Sequence, residues 1–137
     1  LNDVTTYSNY GSTIDVIAPG GGGKNGGNNL LGILGLDATG NAGENNATDT
    51  ITGNSLVNNN YTFTSGTSFS APITSGVIAL MYAVNPTITP DNLRTILTTK
   101  VEQVGTGNGA DYSVGNFDTT RAYGKIDATE AVKEANK

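Results

Sequence analysis

A serine precedes an apolar segment in the stretch SGTSFSAPITSGVIALMY, from Ser65 to Tyr82. Small and hydroxyl side chains continue through Pro72 into apolar residues, which predicts a helix that begins near Thr67 or Ser68 and continues through Val84. The N-terminus of a helix offers unpaired N–H groups and a partial positive charge. An oxygen at that place is suited to act as a nucleophile beside a developing oxyanion.

Two neighbours of Ser68 favour this chemistry. Gly66 allows a tight turn and leaves space for a ligand, and Pro72 lacks the N–H that would bond to the carbonyl of Ser68. The alternative is that Ser68 is an ordinary N-cap, a frequent role for serine at the start of a helix. The chain contains no histidine that could accept a proton from the hydroxyl. The residues by themselves therefore leave both roles open.

Three segments resemble the subtilisin-like serine peptidases. Residues Gly66–Gly76, GTSFSAPITSG, are similar to the family's serine signature, in which Gly-Thr-Ser is followed by a small residue, proline, further small residues and glycine. Residues Tyr7–Gly20, YSNYGSTIDVIAPG, resemble the family segment in which a Ser-Asn-x-Gly turn leads to a strand ending in Ala-Pro-Gly. Residues Tyr123–Val132 resemble the closing turn and last helix, with Ile126 where a second glycine is usual. Ile73 stands where the family often has a histidine that is not its general base.

The resemblance implies a serine endopeptidase with Ser68 as the nucleophile and the backbone N–H of Ser68 as one oxyanion donor. The triad of this family runs Asp, His, Ser along the chain, and the present sequence is similar only to about the last third. The aspartate, the histidine and the asparagine of the oxyanion hole are therefore implied upstream of Leu1. We expect an N-terminal fragment of the same protease to supply them in a non-covalent two-chain enzyme, and the isolated chain to be inactive.

The expected fold class is α/β, the C-terminal part of a subtilisin-like three-layer fold with a mostly parallel sheet. Residues 13–18, TIDVIA, predict a largely buried strand. The helix that starts at the nucleophile has almost only small or apolar residues, which predicts a central helix buried on all sides.

Two further helices are predicted from their capping residues. Thr89 is suited to be an N-cap, with Pro90 at the first helical position. Asp127 and Glu130 have the spacing of a capping box.

A glycine- and asparagine-rich segment occupies residues 20–60. Within it, Leu30–Leu36 is apolar enough to form a strand, although its glycines weaken that prediction. Loops of this length without their own structure are uncommon in compact domains. We expect residues 1–137 to be the C-terminal portion of one peptidase domain, in which this insertion tunes access or substrate choice.

Two places could hold structural calcium, while no cofactor is expected for catalysis. Asp15 lies where some family members contribute a ligand to a weak cation site; the alternative is an ordinary carboxylate at a strand edge. Residues Asp37–Asp49, DATGNAGENNATD, carry oxygen-bearing side chains that suit calcium. They lack the register of an EF-hand, so a solvated polar loop is the alternative.

The composition limits the class of partner. The net charge is −5 and only seven residues are lysine or arginine, which argues against nucleic acid. No apolar run is long enough to predict a membrane span. Low charge and abundant asparagine favour a secreted, extracellular protein, and the missing initiator methionine favours a processed one. Polypeptide substrates or inhibitors are the expected ligands. A catalytically dead binding module and a calcium-stabilised surface domain stay open as other functions.

Overall fold

The computed structural model describes residues 4–22, 32–43, 50–51, 54–55, 60–104 and 117–137. The chain forms two compact units. The helical unit comprises Leu1–Pro19 and Ser70–Lys137, and the hairpin unit comprises Gly20–Phe69.

Three α-helices are described. Helix α1 is Thr67–Val84, α2 is Pro90–Thr99 and α3 is Ala128–Ala135. The first three residues of α1 belong to the hairpin unit and the remainder to the helical unit. The predicted start of α1 and its last residue, Val84, are confirmed.

The N-caps of α2 and α3 are hydrogen bonds between residues three positions apart in the sequence. Thr89 Oγ1 accepts a hydrogen bond from the N–H of Asn92 at 3.3 Å, and Asp127 Oδ1 accepts one from the N–H of Glu130 at 3.0 Å. The Glu130 carboxylate pairs with Lys133 Nζ at 2.7 Å. Both predicted N-caps are therefore confirmed.

The described strands form three two-stranded antiparallel sheets. Their bounds are Ile33–Leu36 for β1, Thr50–Ile51 for β2, Asn54–Ser55 for β3, Tyr61–Thr64 for β4, Val101–Glu102 for β5 and Lys125–Ile126 for β6. β1 pairs with β4, β2 with β3, and β5 with β6. β1 lies inside the predicted strand at residues 30–36, so the 20–60 segment has regular structure of its own.

The strand predicted at residues 13–18 is reduced to a single parallel bridge between Ile17 and Lys125. The N–H of Ile17 donates a hydrogen bond to the carbonyl of Gly124 at 2.9 Å, and the carbonyl of Ile17 accepts one from the N–H of Ile126 at 3.0 Å. The segment is half-buried. Since this bridge is the only parallel pairing among the described residues, the mostly parallel sheet stays a prediction.

The apolar core lies in the helical unit. Met81 and Ala131 are fully buried, and Ala135 is almost so. The residues that pack with them are Val77, Ile88, Leu93, Leu97 and Ile126. The three helices and β6 thus contribute to one cluster.

The α1 helix is less buried than its sequence predicts. Only Val77 and Met81 are buried along it, whereas Leu80, Tyr82 and Val84 are 55%, 39% and 40% exposed. The expectation of burial on all sides is therefore wrong for this chain taken alone, because the described residues of the helical unit cover one face of the helix. By length and composition α1 could also cross a membrane, a property that core helices of soluble proteins share.

Candidate active site

The turn between β4 and α1 determines where Ser68 lies. Gly66 has a φ of 150°, and an added Cβ there would lie 3.3 Å from Ser68 Oγ. The N–H of Phe69 donates to the carbonyl of Gly66 at 3.0 Å, which closes the first turn of the helix. The positive φ favours glycine at this position, and a side chain there would also come close to the Ser68 hydroxyl.

Ser68 is the second residue of α1, not its N-cap. Its side chain is exposed, and no described residue forms a hydrogen bond with its hydroxyl. Its N–H belongs to the first turn, where the helix offers no acceptor. The position of Ser68 inside the helix therefore argues against the N-cap role, and its role as a nucleophile stays a prediction.

The approach to Ser68 is held within the hairpin unit. The N–H of Gly66 donates to the carbonyl of Gly20 at 2.7 Å. The N–H of Asp37 donates to the carbonyl of Asn60 at 2.7 Å, next to the paired strands β1 and β4. Backbone hydrogen bonds thus fix the segment that leads to the serine.

The continuation of α1 is anchored within the helical unit. Ser70 Oγ donates to the carbonyl of Ala18 at 3.0 Å, and Thr74 Oγ1 donates to the carbonyl of Ser70 at 3.0 Å. Pro72 lies inside the helix, as predicted, and leaves the carbonyl of Ser68 without its usual helical donor. The Ser70 contact was missed from the sequence, where Ser70 is one of several hydroxyl residues in the first part of α1.

The environment of Asp15 favours the simpler of its two interpretations. Arg94 Nε donates to Asp15 Oδ2 at 3.0 Å, and an Arg94 terminal nitrogen lies 2.8 Å from Oδ1. These hydrogen bonds hold the pKa of the Asp15 carboxyl below its usual value. Both carboxylate oxygens are thus engaged by a guanidinium, as in an ordinary surface ion pair.

The second candidate for calcium lies partly outside the described residues, which omit 44–49. Asp37 Oδ1 accepts a hydrogen bond from the N–H of Ala38 at 2.9 Å. Among the described residues, no three acidic, histidine or cysteine side chains form a group that could hold a metal ion. Structural calcium at Asp37–Asp49 stays a prediction.

Comparisons with known proteins agree with the sequence resemblance. The model of the subtilase family, Peptidase S8, matches residues 1–123. None of the curated proteins matches the chain.

Two solved structures are similar to the chain. A protease from Pseudoalteromonas arctica PAMC 21717 has 32% identity and a TM-score of 0.62, over 96% of this chain and 32% of its own. The serine protease ASP of Aeromonas sobria, solved with the chaperone ORF2, has 24% identity and a TM-score of 0.74, over 98% of this chain and 27% of its own. The chain thus spans less than a third of the length of these proteases.

Proposed function

Since this chain belongs to the subtilase family, we propose that it is the nucleophile-bearing part of a serine endopeptidase, with Ser68 as the catalytic residue. The observation that carries the proposal is the state of Ser68: its hydroxyl is exposed, caps no helix and has no partner among the described residues. An accessible serine hydroxyl that is not used as a cap can attack a substrate carbonyl once a general base is beside it.

In the proposed reaction, Ser68 Oγ attacks the carbonyl carbon of the scissile peptide bond while its proton passes to a general base. The backbone N–H of Ser68 donates to the oxygen that becomes negative in the tetrahedral intermediate. The base returns the proton to the leaving amine, which leaves an ester on Ser68. Water then hydrolyses that ester by the same steps, which frees the acid product and restores the hydroxyl.

We propose that the general base comes from outside this chain, because the base of this family's triad is a histidine and the chain contains none. We propose that an N-terminal fragment of the same protease supplies the histidine, the aspartate that orients it and the asparagine of the oxyanion hole. Without these groups the isolated chain is inactive. The proposal agrees with the length comparison, since this chain covers only 32% and 27% of the two similar proteases.

The exposed surface of α1 supports this assembly, with Leu80 and Val84 one helical turn apart on one side of the helix and Tyr82 on another side. Leu80, Tyr82 and Val84 keep a large part of their apolar surface in contact with water in this chain. Full burial of one such side chain contributes about 1.5–3 kcal/mol. We propose that the upstream part covers these side chains, and because the chain has no cysteine, no disulfide to this chain contributes to that contact.

Two features of the proposal concern the whole protein. We propose that it is secreted, in keeping with a charged fraction of 14%. We also propose that the 20–60 segment tunes access or substrate choice, so its deletion should change the cleavage preferences of the enzyme.

Labelling with a fluorophosphonate tests the function, because the reagent modifies an activated serine and leaves an unactivated hydroxyl unchanged. We expect stoichiometric labelling of the complete protein at Ser68, and none of Ser68→Ala or of the isolated chain. Failure of the complete, folded protein to react would contradict the peptidase and favour a dead binding module. Labelling of the isolated chain would contradict the requirement for an upstream base.

A further inference from the structure

A close approach of two backbone segments supports the turn that leads to Ser68. Gly21 has a φ of 81°, and an added Cβ there would lie 2.9 Å from both Ser65 Cβ and the Thr64 carbonyl oxygen. Real Cβ atoms essentially never approach another heavy atom so closely. Only glycine at this position lets the Gly20–Gly21 backbone rest against Ser65.

The supported segment carries the nucleophile. Gly66 follows Ser65 directly, and its N–H donates to the carbonyl of Gly20 at 2.7 Å. The carbonyl of Gly66 accepts a hydrogen bond from the N–H of Phe69 at 3.0 Å, which closes the first turn of α1. Ser68 lies inside that turn, so a displacement of Gly66 displaces the Ser68 hydroxyl.

Strand β4, which leads to Ser65, cannot move easily away from a side chain added at Gly21. Thr62 and Phe63 are buried, and β4 pairs with β1 over all four of its residues. A Cβ on Gly21 would therefore either push Ser65 and Gly66 or move Gly20 away from its hydrogen bond with Gly66. Each response removes part of the support for the turn.

We infer that Gly21 is a positioning residue for the Ser68 hydroxyl, an inference that rests on the proposed peptidase function. An ordinary contact for an added Cβ begins at 3.4 Å, so about half an ångström of movement is needed. A misplacement of about 1 Å at a reacting group can reduce the rate about 10²-fold. We therefore expect Gly21→Ala to reduce kcat about tenfold.

The experiment compares Gly21→Ala with Gly11→Ala in the complete protease. Gly11 also has a positive φ, 132°, and lies outside the 20–60 segment, but an added Cβ there would have no atom within 4 Å. The two variants thus share the backbone strain and differ in the contact near Ser68. The readouts are kcat and KM for a peptide that the wild type cleaves, and the rate of fluorophosphonate labelling per folded molecule.

The expected result is a loss of about tenfold in kcat and in labelling rate for Gly21→Ala, whose KM should stay within about twofold of the wild type. All constants of Gly11→Ala should also stay within about twofold of the wild type. Ser65→Gly removes one of the two short contacts. Combined with Gly21→Ala it should restore part of the lost rate, and alone it should change little. If Gly21→Ala folds poorly, the labelling rate of the double variant per folded molecule tests the positioning role in its place.

Equal labelling rates for Gly21→Ala and Gly11→Ala, or no recovery in the double variant, would overturn the positioning role. Failure of the peptidase proposal gives a different result, since the wild type itself would then resist labelling.

Discussion

The two units of the molecule are stabilised in different ways. In the helical unit, apolar side chains from three helices form a cluster around Met81 and Ala131, both fully buried. In the hairpin unit, the described residues around Ser68 are held by the β1–β4 pairing and by backbone hydrogen bonds such as Gly66 to Gly20. Among the described residues, the helical unit has the larger apolar cluster, whereas the hairpin unit has Phe63 as its buried apolar residue and depends more on strand pairing.

The difference indicates that stability and chemistry depend on different residues. An apolar cluster tolerates small shifts as long as volume is kept, whereas a nucleophile loses rate with displacements of about an ångström. Substitutions in the two units should therefore separate the free energy of unfolding from the catalytic rate.

The largest effect is expected for Ser68→Ala in the complete protein. Peptidase activity should fall about 10⁶-fold, the loss seen when the nucleophile is removed in a member of this family. The free energy of unfolding should change by less than about 0.5 kcal/mol, because Ser68 is exposed. Steady-state kinetics and urea unfolding measure the two quantities.

The matched control is Ser75→Ala, on the same helix, where an exposed hydroxyl bonds only to the carbonyl of Ala71. Activity of this control should match the wild type. Substantial activity left in Ser68→Ala would show that another group performs the reaction.

A substitution in the core should lower the free energy of unfolding and leave the reactivity of Ser68 unchanged. Met81 is fully buried, so Met81→Ala should lower the free energy of unfolding by about 2–5 kcal/mol. Met81→Leu keeps the volume and should cost less than about 1.5 kcal/mol. The labelling rate per folded molecule should stay near the wild-type value, and a parallel loss of rate would break the separation between the units.

The exposed face of α1 offers a test of the assembly. Leu80 is 55% exposed in this chain, and substitutions at such a position normally change stability by less than about 0.5 kcal/mol. If the upstream part covers Leu80, then Leu80→Ala should destabilise the complete protein by about 2 kcal/mol or more.

Asn92→Ala, on the exposed surface of α2, is the control and should have little effect. Chemical unfolding of the complete protein distinguishes the outcomes. A Leu80→Ala protein as stable as the Asn92→Ala control would contradict coverage of this face.

The smallest effect is expected for the surface pair of Asp15 and Arg94. Arg94 lowers the pKa of Asp15, so the pair stabilises the folded state above the unfolded pKa of about 3.9. That contribution is lost as the pH falls through the folded pKa of Asp15. The stability difference between the wild type and Arg94→Gln should therefore be small at neutral pH and vanish in acid. A difference that grows in acid would contradict this account.

The features predicted correctly from the sequence are those set by near neighbours. Thr89 and Asp127 cap their helices through residues three positions away, and the start of α1 follows from the change in composition near Ser68. Such local hydrogen bonds need no knowledge of the remaining fold.

The features that sequence reasoning missed depend on distant partners. The strand at residues 13–18 is reduced to one bridge because its pairing depends on Lys125, far along the chain. The exposure of Leu80 depends on which surface covers α1, and the role of Gly21 on the approach of Ser65. An apolar residue type indicates that a side chain can be buried, but it does not identify the residues that bury it.

The central claim is that the proton acceptor for Ser68 comes from outside this chain. The most direct test is the distance from Ser68 Oγ to the nearest imidazole nitrogen in a crystal structure of the complete, active protein. We predict about 2.6–3.2 Å, to a histidine upstream of Leu1. A Ser68 hydroxyl with no imidazole within hydrogen-bonding reach would contradict the proposed peptidase mechanism.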